Sequence, residues 1–218
     1  MRGRSREYDE KMMAIRRQRI IDEAFRLFAE RGIEQVTFSE IAEKAGLSRA
    51  TVFCYFGSKT ELAVAVSTNK WSEYSGRSLE KYIAPDATAR DRLEFFLDSF
   101  IDLYREHSEL LRFNQFFNIF IRGENGPKES LSSYYDMINR VAKRFSFVYA
   151  LAKKDGTMRT DVPETVMFSS IIHIMLAAAT RYAVGLIYEP DGAADPTTEL
   201  KMLRDMMMKK YTASEEVV

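Results

Sequence analysis

The stretch TFSEIAEKAGLSRATVFCYFGSKTEL at residues 37–62 contains two short predicted helices and the start of a third. Thr37 and Glu40 have the spacing of a capping box, which predicts that the first helix begins there. Gly46 can adopt a positive φ and therefore ends that helix. Ser48 can cap the second helix. Two short helices joined by a turn that contains glycine form a helix-turn-helix, whose second helix enters the major groove of DNA.

The second and third helices carry the chemistry of DNA binding. Val52 and Phe56 are four residues apart and are expected to face inward, which leaves the other side of the second helix free for base edges. Ser58 and Glu61 form a possible second capping box at the third helix. The free amides of a helix start attract a phosphate, and Lys59 adds a positive charge beside them. The complete series predicts a DNA-binding segment.

From about residue 15 to residue 62 the chain resembles the DNA-binding domain of TetR-type (TetR/AcrR) bacterial transcriptional regulators. The resemblance rests on IIDEAFRLFAERG at residues 20–32, on TFSEIA at residues 37–42 and on the run from Gly46 to Leu62. It implies an all-α homodimer, with an N-terminal three-helix helix-turn-helix domain and a larger helical domain for ligand binding and dimerisation. It also implies these DNA contacts: Thr37, Ser39, Arg49, Ala50, Thr51, Phe53, Tyr55 and Lys59.

Two positions depart from the family pattern. Phe53 stands where the family commonly has a tyrosine, so a hydroxyl that would bind a phosphate is missing, and Tyr55 is a candidate to replace that contact. Cys54 stands where a larger polar or aromatic residue is usual. Cys54 is interpreted as a packing or passive groove residue, with an oxidation-sensitive switch as the alternative.

The composition excludes several classes of protein. One cysteine among 218 residues excludes a disulfide framework within the chain and suits a reducing cytoplasm. No apolar signal segment follows the first residues, MRGRSR. The most apolar run, residues 166–188, is interrupted by His173 and Arg181 and is therefore interpreted as a buried helix rather than a membrane span. We expect a cytoplasmic protein without membrane attachment.

The charge is balanced overall but not along the chain. Residues 1–60 carry 12 Lys and Arg against 9 Asp and Glu, and residues 1–20 carry 7 against 3. The basic excess at the start predicts either a solvated N-terminus or an arm that contacts DNA beside the main site.

The pattern of apolar residues predicts helices along the rest of the chain. The predicted domains are a DNA-binding domain at 1–60, an effector-binding and dimerisation domain at 61–213 and a tail at 214–218. Three of these helices are predicted with both ends, from about Met12 to Arg31, from Lys59 to about Tyr82 and from Ser108 to Arg122. Caps predict where three others begin, at Thr88–Asp91, at Asp161–Glu164 and at Asp195–Pro196, and a further helix is predicted to end at Asp155.

The last two helices, at about residues 162–187 and 196–211, have the features of a partner surface. The first is apolar nearly all round, and its serines and alanines allow another helix to pack closely. We expect a homodimer through these helices. The dimer would place two copies of the second helix of the helix-turn-helix, here called the reader helix, on a palindromic operator in double-stranded DNA. The alternative is that one chain buries both helices internally.

An unusually dense set of aromatic residues in the middle helices predicts a site for a small apolar or aromatic effector. The alternative for each ring is a plain core, and His173 is expected to be a satisfied core histidine. The candidate effector-binding residues are Phe96, Phe100, Tyr104, Phe113, Phe116, Phe117, Phe120, Tyr135 and His173.

Catalysis and metal binding find little support. The chain has two histidines and one cysteine, without the spacing of a metal site or a phosphate-binding glycine loop, so no enzyme and no cofactor is predicted. The sequence favours a ligand-responsive DNA-binding regulator, a repressor released from its operator by an effector. Two alternatives stay open: an effector-independent DNA-binding factor, and a helical small-molecule binding protein or enzyme with a vestigial reader.

Overall fold

A computed structural model describes residues 2–80, 84–123, 131–186 and 195–213 of the chain. Regular structure in these residues is helical, which confirms the predicted all-α class, and a single isolated β-bridge joins Met158 to Thr212. A π-helical segment covers Ile172–Leu176. The helices are α1 (Arg2–Arg31), α2 (Phe38–Ala45), α3 (Arg49–Tyr55), α4 (Lys59–Glu80), α5 (Ala89–Glu106), α6 (Ser108–Gly123), α7 (Ser132–Asp155), α8 (Glu164–Ile171), α9 (Ala177–Ala183) and α10 (Pro196–Tyr211).

The helices form two compact units. The first comprises Met1–Glu73 and Arg112–Tyr135, and the second comprises Tyr74–Leu111 and Asp136–Val218. This division differs from the predicted boundary after residue 60, because α4 continues through that position as one helix. The functional domains 1–60, 61–213 and 214–218 therefore stay a prediction, and the tail lies outside the described residues.

Aromatic and aliphatic side chains of α1 form the core of the first unit. Ile20, Ala24 and Phe28, four residues apart, are fully buried. The ring of Phe28 stacks on Phe113 at 6.5 Å between centroids, and Phe25 meets Phe113 edge to face at 5.6 Å. The four-residue spacing places these side chains on one face of the helix. The C-terminal half of α6 thus belongs to the same core as α1.

Helix α1 begins about ten residues earlier than predicted. Its first described side chains, residues 6–11, are exposed, and the pair between Arg6 and Glu10 lies one turn apart along the surface. A helical segment without a buried face shows no apolar periodicity, so the sequence pattern could not reveal it.

The core of the second unit is built from α5, α7, α8 and α10. Leu93 and Leu97 of α5 are fully buried, as are Met167 and Ile171 of α8. The predicted cap at Thr88 is confirmed, since its side chain and that of Asp91 bond reciprocally to backbone amides. Asp195 is likewise the N-cap of α10, followed by proline at the first helical position.

The predicted cap of α8 is wrong. Helix α8 has Pro163 as its N-cap, without a side-chain hydrogen bond. The carboxylate of Asp161 instead pairs with the guanidinium of Arg159, whose Nε donates to it at 2.9 Å. A charge-assisted pair to arginine is stronger than a neutral hydrogen bond, so this carboxylate has a partner other than the helix amides.

The apolar run near the C-terminus is only partly buried within the chain. By length and composition alone, Glu164–Ala183 is the one helix among the described residues that could cross a membrane, and 28% of its most apolar window is buried. Met167, Ile171 and Met175 face the core, whereas Val166 and Ile174 are exposed. The expectation of a buried helix holds for one side of this segment.

Candidate nucleic-acid interface and effector site

Helix α2 begins with the capping box that the sequence predicts. The Thr37 amide donates to Glu40 Oε2 at 2.7 Å, and the Glu40 amide donates to Thr37 Oγ1 at 3.3 Å. Arg31, at the end of α1, donates to the other carboxylate oxygen of Glu40 at 2.7 Å. The hydrogen bond from the Thr37 backbone, followed by the one from Arg31, lowers the pKa of Glu40 to about 2. This carboxylate therefore fixes the start of α2 to the end of α1.

The turn between α2 and α3 has the predicted geometry. Gly46 adopts φ 62° and ψ 38°, and the Leu47 amide donates to the Ala42 carbonyl at 2.9 Å. These are the features of a glycine that closes the C-terminus of a helix. Ser48 then caps α3 by accepting from the Thr51 amide at 3.1 Å. The segment is a helix-turn-helix, as expected.

Helix α3 has one buried side and one exposed side. Val52 and, just after the helix, Phe56 are buried, which confirms the predicted inward face. Phe53 is 58% exposed, although its ring meets Phe38 of α2 edge to face at 6.2 Å between centroids. Cys54 is exposed as well. An exposed side of this kind is available to enter the major groove.

The eight predicted DNA-contact residues lie on or beside the helix-turn-helix. Five of them are exposed, and Thr51, Tyr55 and Lys59 are half-buried. The Thr51 and Ser48 hydroxyls are 2.8 Å apart, and Lys59 Nζ donates to the Glu34 carbonyl at 2.9 Å. A lysine ammonium has three donors, so Lys59 retains capacity for a phosphate. The exposed residues are Thr37, Ser39, Arg49, Ala50 and Phe53.

The start of α4 departs slightly from the predicted capping box. Ser58 Oγ accepts from the Glu61 amide at 3.0 Å, as expected. Glu61 Oε2, however, accepts from the Gly57 amide at 2.9 Å, one residue earlier than the box requires. Both side chains still stabilise the helix start where a phosphate would bind.

Two arginines of α1 reach the helix-turn-helix, and the sequence interpretation did not single them out. The Arg17 guanidinium carbon lies 5.0 Å from the ring centroid of Phe56, at the end of α3. The Arg19 guanidinium lies beside Gly46, 3.2 Å from the position that a Cβ would take there. The basic excess in residues 1–20 was the only signal. Because α1 is helical from Arg2, this basic segment is a helix rather than an extended arm.

The predicted effector residues fall into two aromatic groups, one in each unit. In the second unit, Phe96 contacts Phe100, Phe145 and Phe168, with centroid distances of 5.3, 5.8 and 6.4 Å. Tyr104 of the same unit meets Tyr182 at 6.0 Å instead. Candidates in the first unit are Phe113, Phe116, Phe117, Phe120 and Tyr135.

Within the first unit the candidate rings pack as a core. Phe113 and Phe117 are fully buried and stack at 5.7 Å, and Phe116 lies 3.5 Å from where a Cβ on Gly32 would be. Phe120 is also buried, whereas Tyr135 is 50% exposed. Close contact with α1 favours the core interpretation for these rings over ligand binding.

His173 is not a core histidine, so that expectation is wrong. Its side chain is exposed, in the π-helical segment between α8 and α9. The buried neighbours, Ile171 and Met175, occupy the other side of the segment. The sequence placed His173 inside because its surroundings are apolar all round, and only one side of such a helix is covered within the chain.

Comparison with known proteins supports the interpretation of the reader segment. Residues 20–66 match the family described as bacterial regulatory proteins, tetR family. Over 84 residues the chain is 31% identical to the fatty acid metabolism regulator protein of Bacillus subtilis, covering 38% of this chain and 43% of that protein. Over 82 residues it is 37% identical to the HTH-type transcriptional regulator BetI of Brucella anthropi, covering 38% and 42%. The chain thus matches less than half the length of these curated relatives.

Solved structures share the fold along most of the chain. A putative transcriptional regulator from Saccharomonospora viridis, solved with choline, superposes with a TM-score of 0.72 at 20% identity, covering 91% of this chain and 98% of that one. The regulator FadR from Bacillus subtilis, solved with stearoyl-CoA, superposes with a TM-score of 0.70 at 18% identity, covering 88% and 97%. The family match at residues 20–66 therefore coincides with the helix-turn-helix. Beyond that segment the likeness to these solved structures is one of fold.

Proposed function

We propose that this protein is a ligand-responsive DNA-binding transcriptional regulator, a cytoplasmic repressor that leaves a palindromic operator when a small effector binds. The observation that carries the proposal is the capped and glycine-closed helix-turn-helix, with an exposed outer side on α3. This geometry suits insertion into the major groove. The regulators of the tetR family give the proposal its class, since the matched relatives are named as regulators rather than enzymes.

The proposed dimer uses α8–α9 and α10. Val166 and Ile174 are 51% and 39% exposed, and Met202 and Met206, one turn apart on α10, are 61% and 62% exposed. Apolar patches of this kind on a chain that otherwise buries its core favour burial against a partner. A second copy is the partner that a two-fold operator requires, because each half-site needs one reader helix.

The proposed effector site is the aromatic group of the second unit, formed by Phe96, Phe100, Phe145 and Phe168. Its rings are buried or half-buried on α5, α7 and α8, and such an apolar lining favours an apolar or aromatic ligand. The fold neighbours solved with stearoyl-CoA and with choline are consistent with a ligand in this family of folds.

Helix α4 is proposed to transmit effector binding to the helix-turn-helix, since it begins just after α3 and continues into the second unit. In the first unit Lys70 Nζ pairs with Asp22 of α1 at 2.5 Å. In the second unit the Tyr74 hydroxyl donates to the Ser99 carbonyl at 2.7 Å, and burial raises the pKa of Tyr74 to about 12. An effector that shifts α4 would change the placement of the reader, and a coupling of ~1–3 kcal/mol gives about 5–150-fold in affinity.

The test is a selection of bound sequences from random duplex DNA by the full-length protein, followed by the salt dependence of the selected sites. We expect a palindrome whose half-sites lie ~34–36 Å apart, because two reader helices in a dimer meet one face of the duplex. An absence of enrichment over non-specific DNA would contradict the proposal.

Single substitutions then separate the roles of the contact residues. Lys59→Ala should weaken binding to all sequences and reduce the salt dependence, since it removes a phosphate contact. Arg49→Ala and Thr51→Ala should instead relax the preference at particular base pairs. Equal losses for all three variants on every sequence would contradict the assigned roles.

A further inference from the structure

Two arginines of α1 lie at opposite ends of α3, the reader helix. The Arg19 guanidinium lies beside Gly46, in the turn that precedes α3, with its nearest nitrogen 3.2 Å from where a Cβ on that glycine would be. The Arg17 guanidinium carbon lies 5.0 Å from the ring centroid of Phe56, the residue that follows α3. Helix α3 has seven residues and is therefore about 10 Å long. Helix α1 thus adds a cation at each end of the element that is proposed to enter the major groove.

Both guanidinium groups keep their hydrogen-bond donors available. Arg17 and Arg19 are exposed, and among the described residues neither takes part in a hydrogen bond or an ion pair. By contrast, Arg31 at the C-terminal end of α1 donates to Glu40 at 2.7 Å. A guanidinium carries five N–H donors and no acceptor. Arg17 and Arg19 can therefore bind an anion without giving up a hydrogen bond inside the chain.

Neighbouring carboxylates on α1 do not neutralise these two charges. The side chains three and four residues away from Arg17, in either direction, are all apolar. Asp22 and Glu23 lie three and four residues after Arg19, but each pairs with a different cation, at 2.5 and 2.9 Å. Both charges therefore remain to attract an anion from outside the chain.

The contacts that the two arginines make within the chain hold them in place. Arg17 lies over the ring of Phe56, and such stacking occupies the flat face of a guanidinium while leaving the N–H groups at its rim free. Arg19 lies at the C-terminal end of α2, where a cation interacts favourably with the helix dipole. A group that is already oriented loses less conformational freedom when it binds a ligand.

We propose that Arg17 and Arg19 contact phosphates of the bound DNA on either side of α3, so that α1 forms part of the interface. Phosphates line both edges of the major groove, so the DNA backbone lies beside a helix inserted in it. Arginine matches the geometry of phosphate oxygens with two parallel hydrogen bonds. Such contacts fix the position of the reader helix without reading bases. This inference rests on the proposed function in one respect, namely that α3 enters DNA.

The helical state of α1 favours this role over an arm in the minor groove. A helix with its side chains is about 10–12 Å wide, whereas the minor groove is only about 6 Å wide. The chain is helical from Arg2 onward, so the basic segment is too wide to lie in that groove. Phosphates at the edge of the major groove remain accessible to it.

The test is the affinity of the full-length protein for duplex DNA at several salt concentrations, with the selected operator and with an unrelated duplex of equal length. Arg17→Gln and Arg19→Gln should each weaken binding to both duplexes about 5-fold or more, because each removes a phosphate contact from every bound copy. Each should also reduce the slope of log affinity against log salt concentration by about 1 for each bound copy.

Two further variants distinguish a phosphate contact from a structural role. Arg17→Lys keeps the positive charge and should retain most of the salt dependence. Lys143→Gln is the matched control, since it removes an exposed cation of α7 in the second unit, and it should leave affinity within about 2-fold. A role of Arg17 limited to covering Phe56 would lower the free energy of unfolding, measured by urea denaturation, but leave the salt slope unchanged.

Two results would overturn the inference. An unchanged salt slope in either glutamine variant would refute the contact assigned to that arginine. The second is a changed base preference when the selection from random duplex DNA is repeated with the variants, because phosphate contacts carry no sequence information.

The same measurements separate this inference from the proposed function. Selective operator binding, with a salt slope that both glutamine variants retain, would refute the phosphate contacts and leave the regulator. Equal binding to all duplexes, with a salt slope that both variants reduce, would refute the operator-specific regulator and leave the phosphate contacts. An absence of binding to any duplex would refute both.

Discussion

Gly46 ends α2 with a positive φ of 62°, a conformation that costs a residue with a Cβ roughly 1–2 kcal/mol. The three heavy atoms nearest to a Cβ at this position belong to the end of the flexible Arg19 side chain. The cost of a substitution therefore arises from the backbone rather than from a clash. Gly76, within α4, differs because its Cβ position is open and its φ is not positive.

We expect Gly46→Ala to lower the free energy of unfolding by about 1–2 kcal/mol, because alanine is strained at positive φ. Gly76→Ala serves as the matched control and should raise it by up to about 1 kcal/mol, since alanine is the better helix former. Urea denaturation followed by circular dichroism measures both. The same sign for the two variants would contradict the backbone explanation.

Glu40 makes stability depend on pH in a defined direction. Its pKa of about 2 lies below the ordinary value of 4.5, so the charged carboxylate favours the folded state. This contribution is complete above pH 4.5 and is lost as the pH falls toward 2.

We expect Glu40→Gln to be less stable than the unaltered protein at pH 7, because glutamine cannot pair ionically with Arg31. The difference in the free energy of unfolding should shrink as the pH is lowered from 4.5, and denaturation at several pH values measures it. Glu43→Gln, an exposed change on the same helix, is the control and should show no such trend. A difference that stays constant down to pH 3 would contradict the role of Glu40.

At the scale of elements, α1 and α4 are joined by a polar network. The side-chain amides of Gln18 and Asn69 bond to each other in both directions, at 3.1 and 3.2 Å. Lys70, with only 14% of its side chain exposed, pairs with Asp22 and with Glu73. The network fixes the helix that carries Arg17 and Arg19 to the helix that leaves the reader.

We expect Lys70→Met to lower the free energy of unfolding by about 1 kcal/mol, since Asp22 and Glu73 lose the cation between them and both are only partly exposed. The control is Arg26→Met, whose side chain is 69% exposed, so that its pair with Glu23 should contribute little. Thermal denaturation at low and high salt compares the stability of the two variants. Equal effects of the two substitutions would show that the network adds nothing to ordinary surface pairing.

At the scale of the whole molecule, we expect the exposed apolar sides of α8–α9 and α10 to be buried in the proposed dimer interface. We expect Met202→Lys with Met206→Lys to raise the dissociation constant of the dimer about 100-fold or more, because two charges would enter an apolar interface. Operator affinity should fall with it. Sedimentation over a range of concentrations measures the dimer, and gel shift measures the operator complex.

The control for the dimer is Ile119→Lys, an equally exposed apolar side chain on α6, outside the proposed interface. It should leave the dimer intact. A double Met variant that remains dimeric would contradict the interface, and a monomeric unaltered protein would contradict the dimer itself.

Local chemistry explains what could be predicted at the reader. Thr37, Gly46 and Ser48 act through backbone groups within a few residues of themselves, so their roles are visible in the sequence. Asp161 shows the limit of this reasoning, because an arginine two residues away bonds to the carboxylate that would have capped α8. The exposed start of α1 likewise has no apolar pattern from which to predict it.

The sequence by itself determined the all-α class, the helix-turn-helix and the inward face of α3, because caps, a left-handed glycine and apolar spacing are short-range physics. The tertiary structure decided which aromatic residues share a cluster, that His173 is exposed, and that Arg17 and Arg19 lie beside the reader. It also decided that Phe147 is exposed although Phe145, two residues earlier, is buried. These properties depend on which helix faces pack together, and residues far apart in the chain settle that choice by burying apolar surface.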